Sequence, residues 1–144
     1  MLTETLQVSL SGGTVLVPTE VVRAVWGVDA ETVAGKVETG ELQWVFDVSV
    51  AKSRVRELRF WVRELLSSEC ARLTPPEAVE RILGGRQRWN GAQIQQLLMT
   101  SRPGITRWHQ SGDLAGERLG RTFWTSRKAL AQFLLNRLCR PGPS

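Results

Sequence analysis

The residues best equipped for chemistry lie between positions 101 and 122. Ser101, Arg102, Thr106, Arg107, His109 and Gln110 fall close together, and Arg118, Arg121 and Thr122 follow after a short interval. These side chains are cations and hydrogen-bond donors. Arginine makes bidentate contacts to guanine or phosphate, glutamine suits adenine, and threonine offers a hydrogen bond or a contact to a thymine methyl. Nothing comparable points to catalysis. His109 is the single histidine, and no nucleophile and base pair with it. There is no glycine-rich phosphate loop followed by lysine. Cys70 and Cys139 fit no metal-ligand spacing. No catalytic residue, metal or cofactor is therefore expected, and His109 reads as a groove-facing or packing residue.

The flanking sequence says which elements must hold this set. Asn90 can cap a helix reaching Met99, Thr100-Ser101 can form a tight turn, and Ser101 can cap a second helix over Arg102–Ser111 that stops at Gly112. Ile105 and Trp108, three apart, should face inward and leave the polar set outside. Glu117–Thr125 reads as a hairpin with Gly120 near its turn. Ser126–Leu138 reads as a closing helix with Leu130, Phe133, Leu134 and Leu138 inward. Upstream, Thr74-Pro75-Pro76-Glu77 carries a cap, first-turn prolines and a capping-box glutamate, opening a helix that ends at Gly84-Gly85. The Pro/Gly-rich tail, Arg140–Ser144, is expected to fray.

The first half reads in a similar order. Leu6, Val8 and Leu10 alternate before Gly12-Gly13, a hairpin signal. A helix is expected from near Pro18 to Trp26, and a second, capped by Asp29, over Ala30–Glu38. Leu42–Val50 is β-like. Val55, Leu58, Trp61, Val62 and Leu65 recur at helical spacing, which predicts an amphipathic helix over Ser53–Leu66. An ungapped offset of 72 residues relates the halves. It places Thr39-Gly40-Glu41-Leu42 on Ser111-Gly112-Asp113-Leu114, Val22, Val25 and Trp26 on Ile94, Leu97 and Leu98, and Leu58, Leu66 and Trp61-Val62 on Leu130, Leu138 and Phe133-Leu134. The identities are few, so chance similarity is the competing reading; the shared element order favours duplication.

Charge separates the halves. Residues 1–72 hold eight Lys/Arg against ten Asp/Glu, a net of −2. Residues 73–144 hold eleven against four, a net of +7, and ten of those eleven are arginine. The positive potential thus belongs to the second half and favours an anionic partner there. The 42% hydrophobic content excludes a disordered tail. No apolar run suits a bilayer or a secretory leader, so no membrane association is expected. Two reduced thiols in the cytoplasm are favoured over a disulfide, since nothing signals export.

The run Ser101-Arg102-Pro103-Gly104-Ile105-Thr106-Arg107-Trp108-His109-Gln110-Ser111-Gly112-Asp113-Leu114 resembles the recognition helix of MerR-like and excisionase-type winged helix-turn-helix proteins. Glu117-Arg118-Leu119-Gly120-Arg121-Thr122-Phe123-Trp124 resembles their wing, and Arg127-Lys128-Ala129-Leu130 with Phe133-Leu134 resembles the helix after it. The likeness covers roughly residues 90–138. Gly104 stands where that family often has threonine, Trp124 where arginine is common, and Thr125-Ser126 where an Ile-Pro pair is common.

The resemblance, extended to the first half by the 72-residue repeat, implies an α+β, mainly α fold built as a tandem pair of winged helix-turn-helix domains with small β-hairpins, residues 1–70 and 71–144. It implies sequence-specific binding of double-stranded DNA by the second domain, with Ser101, Arg102, Thr106, Arg107, His109 and Gln110 on the major-groove helix and Arg118, Arg121 and Thr122 on the wing. Small transcription regulators and excision factors of phages and mobile elements are the corresponding roles. A bacterial or phage-encoded, nucleoid-associated protein in the cytoplasm is expected, as a homo-oligomer or a cooperative assembly on DNA. The matching helix of the first half would show Glu31, Ala34, Gly35 and Glu38, a poor face for DNA. That half is expected to serve self-association or a protein partner through Trp44 and Phe46, although the Trp-Val-Phe run reads equally as core. A protein–protein adaptor with weak or absent DNA binding is the alternative function.

Overall fold

A computed structural model describes residues 15–49, 56–66, 70 and 72–139. The expected N-terminal hairpin strand and the Pro/Gly tail lie outside these residues. The chain is α+β: seven helices and two small antiparallel sheets among the described residues. In order these are β1 (Leu16–Pro18), α1 (Thr19–Trp26), α2 (Ala30–Glu38), β2 (Val45–Asp47), β3 (Leu58–Trp61), α3 (Val62–Leu66), α4 (Pro75–Leu83), β4 (Arg88–Asn90), α5 (Gly91–Leu98), α6 (Arg102–Gln110), β5 (Glu117–Leu119), β6 (Thr122–Ser126), α7 (Arg127–Asn136) and β7 (Leu138–Cys139).

The local sequence accounts for most of the helix boundaries. Asp29 accepts from the Thr32 amide at 2.8 Å and opens α2; that amide and the Thr32 hydroxyl hold the Asp29 carboxyl below its usual pKa. Thr74 and Glu77 form the expected capping box on α4, and Asn90 and Gln93 form one on α5. Ser101 accepts from the Gly104 amide at 3.2 Å and opens α6. Ser126 caps α7 through the Ala129 amide at 3.1 Å, which gives a use to the serine that stands where the resemblance would place proline.

The 72-residue offset recurs in the geometry. β1, α1, α2 and β2 map onto β4, α5, α6 and β5 residue for residue. Each pair of helices is closed alike. Gly40 and Gly112 have φ of 84° and 83°. Leu42 donates to the Lys36 carbonyl and Leu114 to the Trp108 carbonyl, both at 3.1 Å. The three-stranded sheet has the order β4-β6-β5, and the four-stranded one, β1-β3-β2-β7, repeats that order in its first three strands.

After β2 the offset fails, and so does part of the sequence reading. The helix expected over Ser53–Leu66 is a strand over Leu58–Trp61, followed by the short α3; residues 50–55 lie outside the described set. β3 pairs on both sides, Phe60 with Val17 and with Val45. Phe60 faces a core of Val17, Val22, Val33, Val37 and Val45, while Trp61 faces a larger core shared with the second half. A strand buried on both faces loses its alternation, and Leu58 and Trp61 with Val62 and Leu65 of the following α3 then mimic a helical stripe. The pairing of Leu58 with Leu130, a strand residue with a helix residue, is corrected accordingly. The closing helix also stops earlier than Leu138. α7 ends at Asn136, and Leu138-Cys139 forms β7, pairing with Phe46 and Val45 of β2.

The two halves share the larger core, in which Leu16, Trp44, Phe46, Val48 and Trp61 pack with Ile94, Leu97, Ile105, Trp108, Phe133 and Leu134. Polar ties reinforce the seam. Trp108 Nε1 donates to the Val48 carbonyl at 3.1 Å. Arg137 donates to the Ser49 carbonyl at 2.6 Å and to the Asp113 carboxylate at 2.8 Å. Within the first half, Trp44 Nε1 donates to the Cys70 carbonyl at 2.6 Å. Glu64 on α3 accepts from the Gln43 and Trp44 amides at 3.0 and 3.1 Å; burial pushes its carboxyl pKa up, against the pull of those two donors.

Candidate nucleic-acid interface

The helix α6 is held from behind. Ile105 and Trp108 are buried, as their spacing implies, and the Trp108 ring packs against Phe133 at 4.8 Å between centroids. Arg102, Arg107 and Gln110 are exposed, and Thr106 and His109 are half-buried. α5 packs against α6 across the turn at Met99–Ser101. Gly104 has a local reason: a Cβ there would stand 2.9 Å from Thr100 Oγ1, so the tight turn favours glycine over a larger residue.

The β5–β6 hairpin stands beside this helix, its tight turn made at Gly120 with φ of 67°. Register places Arg118 opposite Phe123 and Glu117 opposite Trp124. Alternation then sends Arg118 and Glu117 to opposite faces. Arg118 Nη2 reaches Thr106 Oγ1 at 3.4 Å, joining hairpin to helix. On the other face Arg88 lies over the Trp124 ring at 4.9 Å, which gives the aromatic side chain at this position a cation to pack against. Thr125 is buried and donates to the Ala115 carbonyl at 2.6 Å.

Helix and hairpin enclose a groove of about 420 Å³. Six of the residues singled out from sequence line it: Arg102, Thr106, His109, Arg118, Arg121 and Thr122. Ser101, Arg107 and Gln110 are exposed nearby but outside its lining. His109 sits at the inner wall, its ring 5.0 Å from Phe123 and its Nδ1 3.4 Å from the Leu114 carbonyl, an arrangement suited to packing. Sequence reasoning missed the wall formed by Asn90, Gly91 and Gln95 of the preceding helix; a capping residue followed by glutamine carried no signal of a surface.

The groove has three arginines and no carboxylate in its lining. None of the four ion pairs among the described residues uses Arg102, Arg107, Arg118 or Arg121. By contrast Arg127 is committed internally, to the carbonyls of Gly84, Arg86 and Glu80 and to the Glu80 carboxylate. Such a surface can neutralise phosphates along a strand while the exposed helix face meets a second set of groups. Among the described residues no group of three or more His, Cys, Asp or Glu could hold a metal ion, and no helix is long and apolar enough to cross a membrane.

The corresponding face of the first half differs. Asp29, Glu31 and Glu38 are exposed on and beside α2, Gly35 stands where α6 has Arg107, and Lys36 is paired with Glu41 at 2.9 Å. Trp44 and Phe46, expected as a partner-binding surface, are 4% and 0% exposed. They are core residues, in a cluster that side chains of both halves build.

The hairpin depends on close packing at its base. A Cβ on Gly116 would stand 2.5 Å from Phe123 Cζ and 2.6 Å from the Trp124 carbonyl oxygen. Gly116→Ala is therefore expected to cost about 1–3 kcal/mol through overpacking. Chemical denaturation would measure it, and an unchanged midpoint would show that the hairpin yields freely.

Comparison with protein-family models, with curated proteins and with solved structures finds no match.

Proposed function

We propose that this protein binds double-stranded DNA in a sequence-specific manner through its second half. In this reading each half is a winged helix-turn-helix unit, and the second kept the DNA-facing surface that the first has lost. α6 enters the major groove, and the β5–β6 hairpin acts as the wing along the backbone or minor groove. The observation that carries the reading is the groove in which Arg102, Arg118 and Arg121 converge without a carboxylate, beside a helix anchored from behind by Ile105 and Trp108. The basic charge of the second half adds attraction for a polyanion.

The cellular role that fits is a small transcription regulator or an excisionase-like accessory factor of a phage or mobile element. It would act in the cytoplasm on the nucleoid, as a homo-oligomer or a cooperative row on DNA. The first half is proposed to support the DNA-binding half rather than to contact DNA, because its matching helix face is acidic.

The test is a binding titration on mixed-sequence duplex at several salt concentrations. Log affinity should fall linearly with log salt, with a slope of roughly −0.9 per phosphate neutralised. Absence of any complex at micromolar protein and low salt would reject DNA binding and favour the protein–protein adaptor.

A further inference from the structure

α5 ends on Met99 in the left-handed conformation, φ 46° and ψ 51°. It is the one non-glycine residue with positive φ among the described residues. The matching position in the first half is Gly27, φ 65°, which adopts this conformation without a side-chain clash. Methionine has a Cβ that resists it, so the turn leading into α6 needs support that its counterpart does not.

The support comes from the other half of the molecule. Arg59 is nine-tenths buried in β3, whose backbone is locked between Pro18 of β1 and Phe46 of β2. Its Nε donates to the Leu98 carbonyl at 2.5 Å and its Nη2 to the Met99 carbonyl at 2.9 Å, while Nη1 donates to the Leu58 carbonyl at 3.0 Å. The last carbonyls of a helix lack intrahelical donors and carry partial negative charge, so a cation there is favourable. The rigid guanidinium fork spans two successive carbonyls, a geometry the lysine ammonium does not reproduce. Burial works against the Arg59 charge, and the carboxylates of Glu57 and Glu20 offset part of that cost.

We propose that Arg59 is a positioning residue for DNA binding: by clamping the Leu98 and Met99 carbonyls it holds the left-handed turn and sets the angle at which α6 meets the DNA. The inference rests on the DNA-binding reading above and deepens it, since it gives the first half a defined part in binding without any contact to DNA. The turn transmits orientation because it is tight on both sides. Thr100 donates to the Gln95 carbonyl at 3.3 Å, Ile105 to the Ser101 carbonyl at 3.3 Å, and the Ser101 side chain caps α6. Base contacts depend on helix angle, whereas phosphate contacts to flexible side chains tolerate change.

The experiment compares the full-length wild type, Arg59→Met, Arg59→Lys, Met99→Gly and the Arg59→Met/Met99→Gly double variant at a temperature where circular dichroism shows all of them folded. The probes are a duplex selected for tight binding to the wild type and a mixed-sequence duplex of the same length. Arg59→Met should weaken the selected duplex about tenfold while leaving the mixed-sequence duplex within about twofold, because orientation-dependent base contacts are lost first. Lysine should not restore the loss. Met99→Gly should restore most of it in the Arg59→Met background and change little alone, the non-additivity expected of two residues acting on one turn. Equal weakening on both duplexes, no weakening, or no rescue by glycine would overturn the proposal. Hydrogen exchange at the Thr100, Gly104 and Ile105 amides reads the clamp independently of DNA. Exchange should quicken in Arg59→Met and slow again in the double variant, and unchanged exchange would overturn the clamp. If the wild type bound no duplex but the exchange pattern held, the DNA-binding reading would fall, together with the proposed role in binding, while the clamp itself stood.

Discussion

Trp108→Ala is expected to destabilise the protein by about 3–5 kcal/mol, the range for emptying a large buried aromatic site. Trp108 is 1% exposed, packs at a tilt against Phe133, and donates to the Val48 carbonyl. The substitution removes ring volume from the shared core and leaves a buried carbonyl without its donor. The effect should reach both halves. Val48 belongs to the first, Phe133 to the second, and a single set of apolar contacts joins them. Equilibrium unfolding followed by tryptophan fluorescence and by far-ultraviolet circular dichroism should therefore show coincident transitions, shifted together in the variant. Separate transitions, with only one shifted, would mean that the halves fold independently despite their common core.

The second large effect concerns DNA and divides two arginines. Arg107→Ala should cost about 1–3 kcal/mol on the preferred duplex and flatten the preference for bases, with little effect on mixed sequence. Arg107 is exposed on α6, outside the groove, and has no carboxylate partner among the described ion pairs. Arg118→Ala should act differently. Its guanidinium lies in the groove against Thr106, where the DNA-binding proposal places a backbone phosphate. Its loss should weaken binding to all duplexes alike and lower the magnitude of the salt slope by about one. Parallel titrations of both variants on selected and mixed duplex separate these outcomes. If Arg107→Ala lowered affinity without changing base preference, α6 would not be the reading element.

The helix pairs and the second hairpin were legible because each boundary is written in local chemistry. Asp29, Thr74, Asn90, Ser101 and Ser126 cap the helices that follow them, and Gly40, Gly112 and Gly120 supply the positive φ their turns require. The spacing of Ile105 and Trp108 identified the buried side of α6, and so assigned Arg102, Arg107 and Gln110 to the exposed side. The 72-residue recurrence was legible up to β2 for the same reason, since it runs through caps and turns. It was lost at β3, where no local signal separates a strand buried on both faces from a helix.

By itself, then, the sequence determined where the capped helices begin, which half carries the positive charge, and which side of α6 is free. These follow from caps, turn residues and periodicity, which act over a few residues and need no distant partner. The tertiary structure alone decided that Leu58–Trp61 is a strand, that Leu138-Cys139 returns to the first sheet, and that Trp44 and Phe46 are core. It alone placed Arg118 beside Thr106 and Arg59 behind Met99. Each of these is a contact between residues far apart in the chain, and such contacts are set by how two cores close against each other, a property that no window of sequence contains.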